Sequence, residues 1–424
     1  MTALTTAIRL PSVNVRSYVA GGTYIALGLI NMLVFTGHTG DATFDLSLPG
    51  ASVHVPSLHV PGAPTALALG VLCVAIGVVR VVIDLPRWAK RLAIAVVLLA
   101  TLVALLAWSD AGNTVSMNLL DLTQYTVVNS IPIVLGALSG ILCERSGVIN
   151  IAIEGQLLTG AFAAAAVSSV VGATLGLWMG IVGGSLTGGL VGALLAVMAI
   201  KYLSDQIIIG VVINVLALGF TTYLYDRVMA PYGNIWNTGN FFTPYKIPVL
   251  GDIPIIGPTF FDSTVFLYFT YILLIVIQVA LFRTRWGLRV RAVGEHPTAA
   301  DTVGIKVLWT RYRNVILGGM VAGIGGAWLT VGSTGSFSPG MSNGIGYIGL
   351  AAMIFGRWRP FGAVAAALLF SFSGQLGIEL ETLSVPIPTQ ILNMLPYAAT
   401  IIAVAGLVGR VRAPAADGKP YVKA

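Results

Sequence analysis

Charged residues are scarce in this sequence. Only 9% of its 424 residues are Asp, Glu, Lys or Arg, whereas soluble domains carry about 25%. Hydrophobic residues make up 56% of the chain, and a helix needs about 20 mostly apolar residues to cross a bilayer. Many stretches of the sequence meet that requirement. The composition therefore excludes a soluble protein and predicts an all-α, polytopic integral membrane bundle.

The sequence motifs of several enzyme classes are absent. The chain has no GxxxxGK[ST] phosphate-binding loop and no HExxH zinc site, so neither of those routes to ATP binding or zinc-dependent hydrolysis is open. Its cysteines, Cys73 and Cys143, both lie in apolar runs, which favours neither a disulfide nor a metal site. His38, His54 and His59 share one polar loop without the tight spacing of a metal site. We expect exposed histidines there, with a metal site as the alternative, and no catalytic residues anywhere in the chain.

Twelve apolar stretches are candidates for membrane-spanning helices. We expect about 10–12 spans, because the stretches within 125–172 and 344–378 are short or closely spaced. The candidates are 18–35, 65–83, 92–108, 125–142, 148–171, 174–200, 206–225, 264–282, 314–331, 344–355, 361–378 and 390–408.

The basic residues predict the orientation of these spans. If the N-terminus is cytoplasmic, every Lys and Arg except Arg227 and Lys246 lies on the cytoplasmic side, as the positive-inside bias requires. The net charge of +7 then reflects this bias rather than nucleic-acid binding, and both chain ends are cytoplasmic. The first residues lack the apolar core and cleavage site of a signal peptide. The predicted organisation is a tail at 1–17, an extension of about three transmembrane helices at 18–120, a core at 121–410 and a second tail at 411–424.

The sequence ERSGVINIAIEGQLLTGAF places polar residues in an apolar setting. We expect Asn150, Glu154 and Gln156 to lie close together, because an ionisable residue inside a membrane must face the bundle interior and find partners. Gly147 and Gly155 bracket these residues and predict a broken or re-entrant helix, which is tolerated where it lines a cavity. Two interpretations of Glu154 stay open. It is either a polar element beside a translocation path or part of a buried hydrogen-bond cluster that fixes helix packing.

Polar and charged residues also mark the edges of other predicted helices. Ser204 is expected to cap the helix that begins SDQIIIGVV, and Asn214 within that helix either lines a pore or joins two helices. Glu144 and Arg145 are expected to form an ion pair or a boundary anchor. In the turn GRWRP, Trp358 and its flanking arginines are expected to anchor the chain at the membrane interface.

The stretch 283–313, RTRWGLRVRAVGEHPTAADTVGIKVLWTRYR, is the most informative part of the chain. It holds seven of the 23 Lys and Arg residues, and contact with anionic lipid accounts for its arginines. Lipid does not account for the small, polar centre at 294–305, where Pro297 suits a first helical turn. A short helix on a basic cytoplasmic loop is what a membrane subunit needs in order to dock on a soluble motor protein.

Three stretches together resemble the permease subunits of bacterial ATP-binding-cassette importers for branched-chain amino acids, simple sugars and nucleosides. They are GVINIAIEG at 147–155, AVGEHPTAADTVGIKV at 292–307 and GYIGLAAMIFG at 346–356. The form GVINIAIEGQ, preceded by Glu144 and Arg145, is most similar to the nucleoside branch, whereas ribose-type permeases more often carry Asp-Leu-Ser there. The resemblance covers about 121–410, and the N-terminal extension and Gln156 depart from the family pattern.

The resemblance implies a subunit that imports nucleosides across the bacterial plasma membrane and catalyses no bond chemistry. ATP is bound by a separate ATPase, so this chain binds no cofactor. The implied partners are that ATPase, a second related permease or a second copy of this chain, an extracytoplasmic substrate-binding protein and the lipid bilayer, but no nucleic acid. The same machinery importing a simple sugar such as ribose is one alternative, and a stand-alone secondary transporter is another.

Two sets of residues carry these expectations. The residues expected to couple the chain to the ATPase are Gly294, Glu295, Pro297, Ala299, Ala300, Gly304 and Ile305. The residues expected along the translocation path are Asn150, Glu154, Gln156 and Asn214.

Overall fold

The computed structural model describes residues 15–38, 40–47, 55–113, 116–398 and 412–423. The chain divides into two compact units, Met1–Leu120 with Glu379–Ile387 and Asp121–Ile378 with Pro388–Ala424. Both are built mainly of helices, as the composition predicts. A helix satisfies its own backbone hydrogen bonds, which an apolar segment in lipid must do.

The first unit contains three long helices, α1 (Val15–Leu33), α2 (Gly62–Val82) and α3 (Arg87–Asp110). Helices α1 and α2 pack closely, because Gly28 and Gly70 lie where a side chain on either would meet the backbone of the other helix. Small residues at such positions let membrane helices approach each other. Tyr24, Cys73 and Val97 are buried between the three helices.

A small sheet in the first unit was not predicted from the sequence. Its strands are β1 (Asp41–Asp45), β2 (Leu58–Pro61) and β3 (Met117–Asn118), with β1 antiparallel to β2 and parallel to β3. Asp110 joins this sheet to the end of α3, since its carboxylate accepts from the backbone nitrogens of Thr43 at 2.5 Å and Met117 at 2.9 Å. Strands this short offer no alternation of polar and apolar residues that a sequence pattern could reveal.

Two of the three histidines of this region have separate partners in the described residues. His38 stacks on Trp108, with ring centroids 5.1 Å apart, and His59 lies 3.1 Å from the hydroxyl of Thr43. His54 lies outside the described residues.

The helices that begin the second unit and continue to its end are α4 (Leu119–Glu144), α5 (Ile153–Val171), α6 (Ala173–Ala196), α7 (Gln206–Leu224), α8 (Gly233–Trp236), α9 (Ile256–Phe261), α10 (Val265–Arg283), α11 (Arg285–Glu295), α12 (Pro297–Thr302), α13 (Val307–Leu329), α14 (Ile345–Phe355), α15 (Pro360–Thr382) and α16 (Thr389–Leu392). Three π-helical segments continue α6, α7 and α13, namely Val197–Lys201, Tyr225–Met229 and Thr330–Thr334. Strands β4 (Tyr245–Lys246) and β5 (Asp262–Ser263) pair in the long connection between α7 and α10.

Glycines bring α5, α6 and α13 into close contact at the centre of the second unit. Gly188 and Gly192 on α6 face Gly319 and Gly323 on α13, where an added side chain would meet the backbone of the other helix. Gly160 on α5 also packs directly against Gly323. Small residues at these positions let the three helices approach one another closely.

The structure confirms a polytopic helical bundle. Among the described residues, nine helices are long and apolar enough to cross a membrane, and α1 and α14 are shorter apolar helices. These helices coincide with the first eleven predicted stretches. The helix within the stretch 148–171 is shorter than predicted, because α5 begins at Ile153. The twelfth stretch contains α16 at its start and then runs outside the described residues, as do most of the predicted tail at 1–17 and the ends of the tail at 411–424.

The cap of α7 differs from the prediction. Asp205, not Ser204, occupies the N-cap position, and its carboxylate accepts from the backbone nitrogens of Ile207 and Ile208. Helix α7 starts one residue later than expected for a serine cap. A carboxylate at this position also interacts favourably with the helix dipole.

Candidate functional site

Helices α4 and α5 are separated by a turn that carries the predicted polar residues. Gly147 in this turn has a φ of 89°, a left-handed conformation that glycine adopts without strain. The break predicted near Gly147 is thus confirmed, whereas Gly155 lies within α5. Asn150 and Gln156 are fully buried and hydrogen-bonded to each other, from Nδ2 to Oε1 at 3.0 Å. The Asn150 amide also donates to Ser139 Oγ at 3.2 Å, which joins the turn to α4.

Glu154 binds a different part of the molecule. Its carboxylate accepts hydrogen bonds from Ser342 Oγ at 2.7 Å, from the Gly344 nitrogen at 2.8 Å and from the Gly346 nitrogen at 2.7 Å. Because α14 begins at Ile345, this carboxylate satisfies backbone donors at the N-terminus of α14, where a negative charge is stabilised. Glu154 therefore hydrogen-bonds to the start of α14, whereas Asn150 and Gln156 hydrogen-bond to each other. Residues two apart on a helix do not face each other, so Glu154 and Gln156 point to different neighbours.

Asn214 links three helices. Its Oδ1 accepts from the Gly155 nitrogen at 2.8 Å, and its Nδ2 donates to the Ile151 carbonyl at 2.9 Å and to the Tyr347 hydroxyl at 3.0 Å. One side chain of α7 therefore contacts the start of α5 and the first turn of α14. The joining role left open for Asn214 matches these contacts.

The other end of α14 is bound by the residues that end α4. The indole nitrogen of Trp358 donates to Glu144 Oε2 at 2.6 Å, and Arg145 donates from Nε and Nη2 to the Trp358 carbonyl at 3.1 and 3.0 Å. Trp358 is only 5% exposed, so its indole packs inside the protein and does not act as the expected interfacial anchor, whereas the two flanking arginines are exposed. Glu144 and Arg145 bind Trp358 rather than each other. Burial lowers the pKa of the Arg145 guanidinium, and the charge of Glu295 opposes this shift.

The predicted short helix in the basic loop is present as α12. Pro297 lies in its first turn, as predicted. The helix ends in a Schellman motif, because the Gly304 nitrogen donates to the Asp301 carbonyl and the Ile305 nitrogen to the Ala300 carbonyl. Gly304 has the left-handed φ of 85° that this motif requires. The small polar insert is thus a defined element with capped ends.

Four other residues that were expected to couple the chain to the ATPase divide between a buried and an exposed face. Gly294 is buried in α11 against the Arg145 carbonyl, so closely that a side chain would not fit. Ala300 is 3% exposed and packs with Val293 and Val307. Ala299, by contrast, is exposed on α12, and Glu295 is an exposed residue whose Oε2 accepts from the Ala415 nitrogen.

These contacts form one connected region. The segment from Glu144 to Glu154 contacts α11 through Arg145, and it binds both ends of α14 through Glu144, Arg145 and Glu154. Helix α7 joins the same region through Asn214. The structure thus brings together Glu154, Asn214 and the start of α14. Asn150 and Gln156 are buried in the interior next to this group.

Comparison with known proteins identifies the family of this chain. The family model described as "Branched-chain amino acid transport system / permease component" matches residues 122–405. The chain belongs to this permease family.

Three named members of the family are similar to the permease. It is 40% identical over 310 residues to the guanosine ABC transporter permease protein NupQ of Bacillus subtilis, covering 70% of this chain and 95% of the relative. It is 36% identical over 318 residues to the nucleoside ABC transporter permease protein NupC of Lactococcus lactis, covering 72% and 99%. A putative glucose ABC transporter permease protein, TsgC13 of Haloferax volcanii, is 31% identical over 269 residues, covering 62% and 78%. No solved structure is significantly similar to the permease.

The permease is accordingly a multi-pass membrane subunit of an ABC transporter and not an enzyme. The match to the family model starts at residue 122, next to the boundary between the two structural units after Leu120. Helices α1 to α3 therefore lie outside the matched region. ATP is handled by a partner ATPase in this family, in agreement with the absence of a phosphate-binding loop.

Sequence reasoning missed two residues that complete the region. Arg311 is 2% exposed, although it was counted only as one of the basic residues of the loop. Its position inside the first turns of an apolar helix is a signal that could have marked it, because a buried arginine needs partners. Asp417 lies near Glu144, since each carboxyl shifts the pKa of the other, and nothing in the sequence around Asp417 indicates that proximity.

Proposed function

We propose that the permease is the transmembrane subunit of an ATP-driven importer that carries nucleosides into the cell. The observation that supports this cargo is the gradient of similarity. The relatives named for guanosine and nucleosides are 40% and 36% identical and align over 95% and 99% of their lengths, whereas the putative glucose permease is 31% identical over 78%. A simple sugar is the second candidate, and its support is that more distant match.

In this proposal the ATPase binds α12 and its neighbouring turns. The coupling residues are Gly294, Glu295, Pro297, Ala299, Ala300, Gly304 and Ile305. The exposed Ala299 would contact the ATPase, and the buried Ala300 and Gly294 would pass a displacement on to the membrane core. Gly294 suits this role because its contact with the Arg145 carbonyl leaves no free space between the two segments, and closely packed elements transmit a shift rather than absorb it.

The displacement would reach the translocation path through the segment 144–154. This segment binds both ends of α14, so α14 would move with it when α11 moves. Glu154 and Asn214 would border the path beside Tyr347, which is 46% exposed, while Asn150 and Gln156 would support the turn from the interior. ATPase closure would then favour one of two states of access, a shift caused by binding one state more tightly than the other.

The partners follow the naming of the relatives. NupQ and NupP of Bacillus subtilis are both named guanosine ABC transporter permease proteins, and this chain is similar to both, with 23% identity over 304 residues to NupP. We therefore propose a membrane dimer with a second, related permease, together with an ATPase and an extracytoplasmic binding protein. A dimer of two copies of this chain is the alternative.

The proposed orientation has both chain ends in the cytoplasm. The described part of the C-terminal segment contacts α11, because the Ala416 nitrogen donates to the Gly294 carbonyl at 2.9 Å. The basic loop and the C-terminal segment are therefore on the same side of the membrane. The same end of the unit holds Arg145 and Trp358, in keeping with a single positive face.

Uptake into membrane vesicles tests the cargo and the energy source. The permease is produced with its ATPase, partner permease and binding protein, and vesicles receive labelled guanosine, adenosine, uridine, ribose or glucose with and without ATP. Saturable, ATP-dependent nucleoside uptake is expected. Uptake of a sugar but of no nucleoside would show that the cargo is a sugar. Uptake that does not depend on ATP but follows an ion gradient would contradict the ATP-driven mechanism.

Two variants test the coupling role of α12. Deleting residues 297–303 should abolish uptake and ATPase co-purification while the permease still inserts into the membrane. The substitution Ala299→Arg should weaken both, because it places a bulky charge on the exposed face of α12. Asn234→Arg, at an exposed position of α8, is the matched control and should leave both unchanged. Full uptake by the deletion variant would disprove the coupling role.

A further inference from the structure

The C-terminal segment 412–423 is held against the basic loop although it has no helix or strand. The Ala416 nitrogen donates to the Gly294 carbonyl at 2.9 Å, and the Ala415 nitrogen donates to Glu295 Oε2 at 3.2 Å. Ordering an irregular chain costs about 1–2 kcal/mol of backbone entropy per residue. The segment must therefore gain its order from the contacts that its side chains and backbone make.

One set of these contacts reaches the membrane core. Arg311 of α13 donates from Nη1 to the Lys419 carbonyl at 3.0 Å, and its guanidinium lies against Gly147 in the turn after α4. The carboxyl of Asp417 lies close enough to Glu144 and Arg311 for these groups to shift its pKa. The segment thus touches the last residue of α4, the turn that follows it and the start of α13.

A second set of contacts reaches α12. Tyr421 is 7% exposed and packs with Val293 of α11, Ala300 of α12 and Val307 of α13. Tyr421 and Asp301 line the same groove. Burying an aromatic side chain removes about 150–250 Å² of surface from water, which favours the ordered segment.

Taken together, these contacts make the segment a bridge. We propose that residues 412–423 position the coupling segment: they hold α11 and α12 against the end of α4, so that a displacement of α12 is passed to the segment 144–154. This inference rests on the proposed coupling role of α12. In this proposal the C-terminal segment also forms part of the surface that faces the ATPase. Two grooves beside Tyr421, of about 350 and 650 Å³, are each lined by residues of both the basic loop and the C-terminal segment.

Substitutions at Tyr421 test this proposal. Tyr421→Ser removes the buried ring, whereas Tyr421→Phe keeps the packing and loses only the hydroxyl. The measured quantities are permease abundance in the membrane, ATPase hydrolysis rate and the amount of nucleoside transported per ATP hydrolysed. Arg412→Gln, at an exposed position of the same segment, is the control for a change that leaves the contacts intact.

The expected result is a loss of coupling rather than of protein. Tyr421→Ser should reduce transport per ATP by about tenfold, equivalent to about 1.4 kcal/mol, at unchanged abundance. Tyr421→Phe should stay within about twofold of the wild type, and Arg412→Gln should match it. Normal transport per ATP in Tyr421→Ser would overturn the proposal.

A second measurement covers the case in which Tyr421→Ser fails to accumulate. The purified complex truncated after residue 411 is reconstituted with or without a synthetic peptide of residues 412–424. Restored transport per ATP supports a positioning role, because a peptide added after purification does not change membrane insertion; no restoration overturns it.

If deletion of 297–303 leaves uptake intact, the proposed function of α12 fails. If that deletion abolishes uptake while the C-terminal variants behave normally, only the present inference fails.

Discussion

Glu144 and Glu154 bind opposite ends of the same helix. Glu144 accepts from the Trp358 indole in the turn that follows α14, and Glu154 accepts from the Gly344 and Gly346 nitrogens at its start. Helix α14 has only 11 residues, too few to span a bilayer, which takes about 20. The two carboxyl groups flank a turn that also contacts α11. The short helix α14 and the turn between α4 and α5 therefore form one structural element.

Glu154→Gln should destabilise the start of α14. A glutamine keeps one acceptor and turns an amide donor toward backbone N–H groups, so at least one charge-assisted hydrogen bond is lost, at a cost of about 1.5–3 kcal/mol. Thermal unfolding of the purified permease should report this loss, and nucleoside uptake should fall. Glu381→Gln, which changes an exposed carboxylate, should alter neither. Wild-type stability and uptake for Glu154→Gln would make this carboxylate incidental.

Asn214→Leu and Tyr347→Phe should have graded effects. Leucine leaves the Gly155 nitrogen without an acceptor inside the protein, which costs about 1–3 kcal/mol, whereas phenylalanine removes a single hydrogen bond worth about 0.5–1.5 kcal/mol. The double variant should be less destabilised than the sum of the two, since both remove the same bond. Unfolding in a denaturant series gives these values. Strict additivity would show that the Asn214–Tyr347 bond contributes nothing.

Gly294→Ala should separate α11 from the turn after α4. The added methyl group would meet the Arg145 carbonyl, and overpacking of this kind costs about 1–3 kcal/mol. We expect reduced transport per ATP together with a lower unfolding temperature. Gly219→Ala is the matched control, because nothing lies within 4 Å of a side chain at that position. If both variants resemble the wild type, the contact between α11 and Arg145 is looser than the structure indicates.

Asp417 should make stability depend on pH. Burial raises the pKa of this carboxyl from its usual value of 3.8 to about 6, with Glu144 and Cys143 of α4 and Arg311 of α13 around it. A group whose pKa is raised by folding contributes stability below its unfolded pKa and loses that contribution as the pH rises through the folded value. The wild type should therefore lose stability relative to Asp417→Asn between pH 4 and pH 7. The prediction would be contradicted if the difference in unfolding temperature between the wild type and Asp417→Asn stayed constant with pH. It would also be contradicted if the wild type became more stable than the variant as the pH rises.

The sequence could predict the features that depend on local composition. The apolar stretches matched the described helices because length and hydropathy alone decide whether a segment can span a bilayer. Pro297 marked the start of α12, since its ring fixes φ and its missing N–H is not needed in a first turn. Gly147 marked the break after α4 for a similarly local reason.

Only the tertiary structure decided which groups are partners. Ser342 and Glu154 are far apart in the chain, as are Trp358 and Glu144, and a sequence pattern does not record which faces of two helices meet. Asp205 replaced Ser204 as a cap because both residue types fit that position and backbone geometry selects between them. The sequence by itself therefore determined that this chain is a helical membrane protein with a basic loop at 283–313. The fold determined that the loop, the broken helix and the C-terminal segment form one region, because hydrogen bonding and packing between distant segments are set by their arrangement in space.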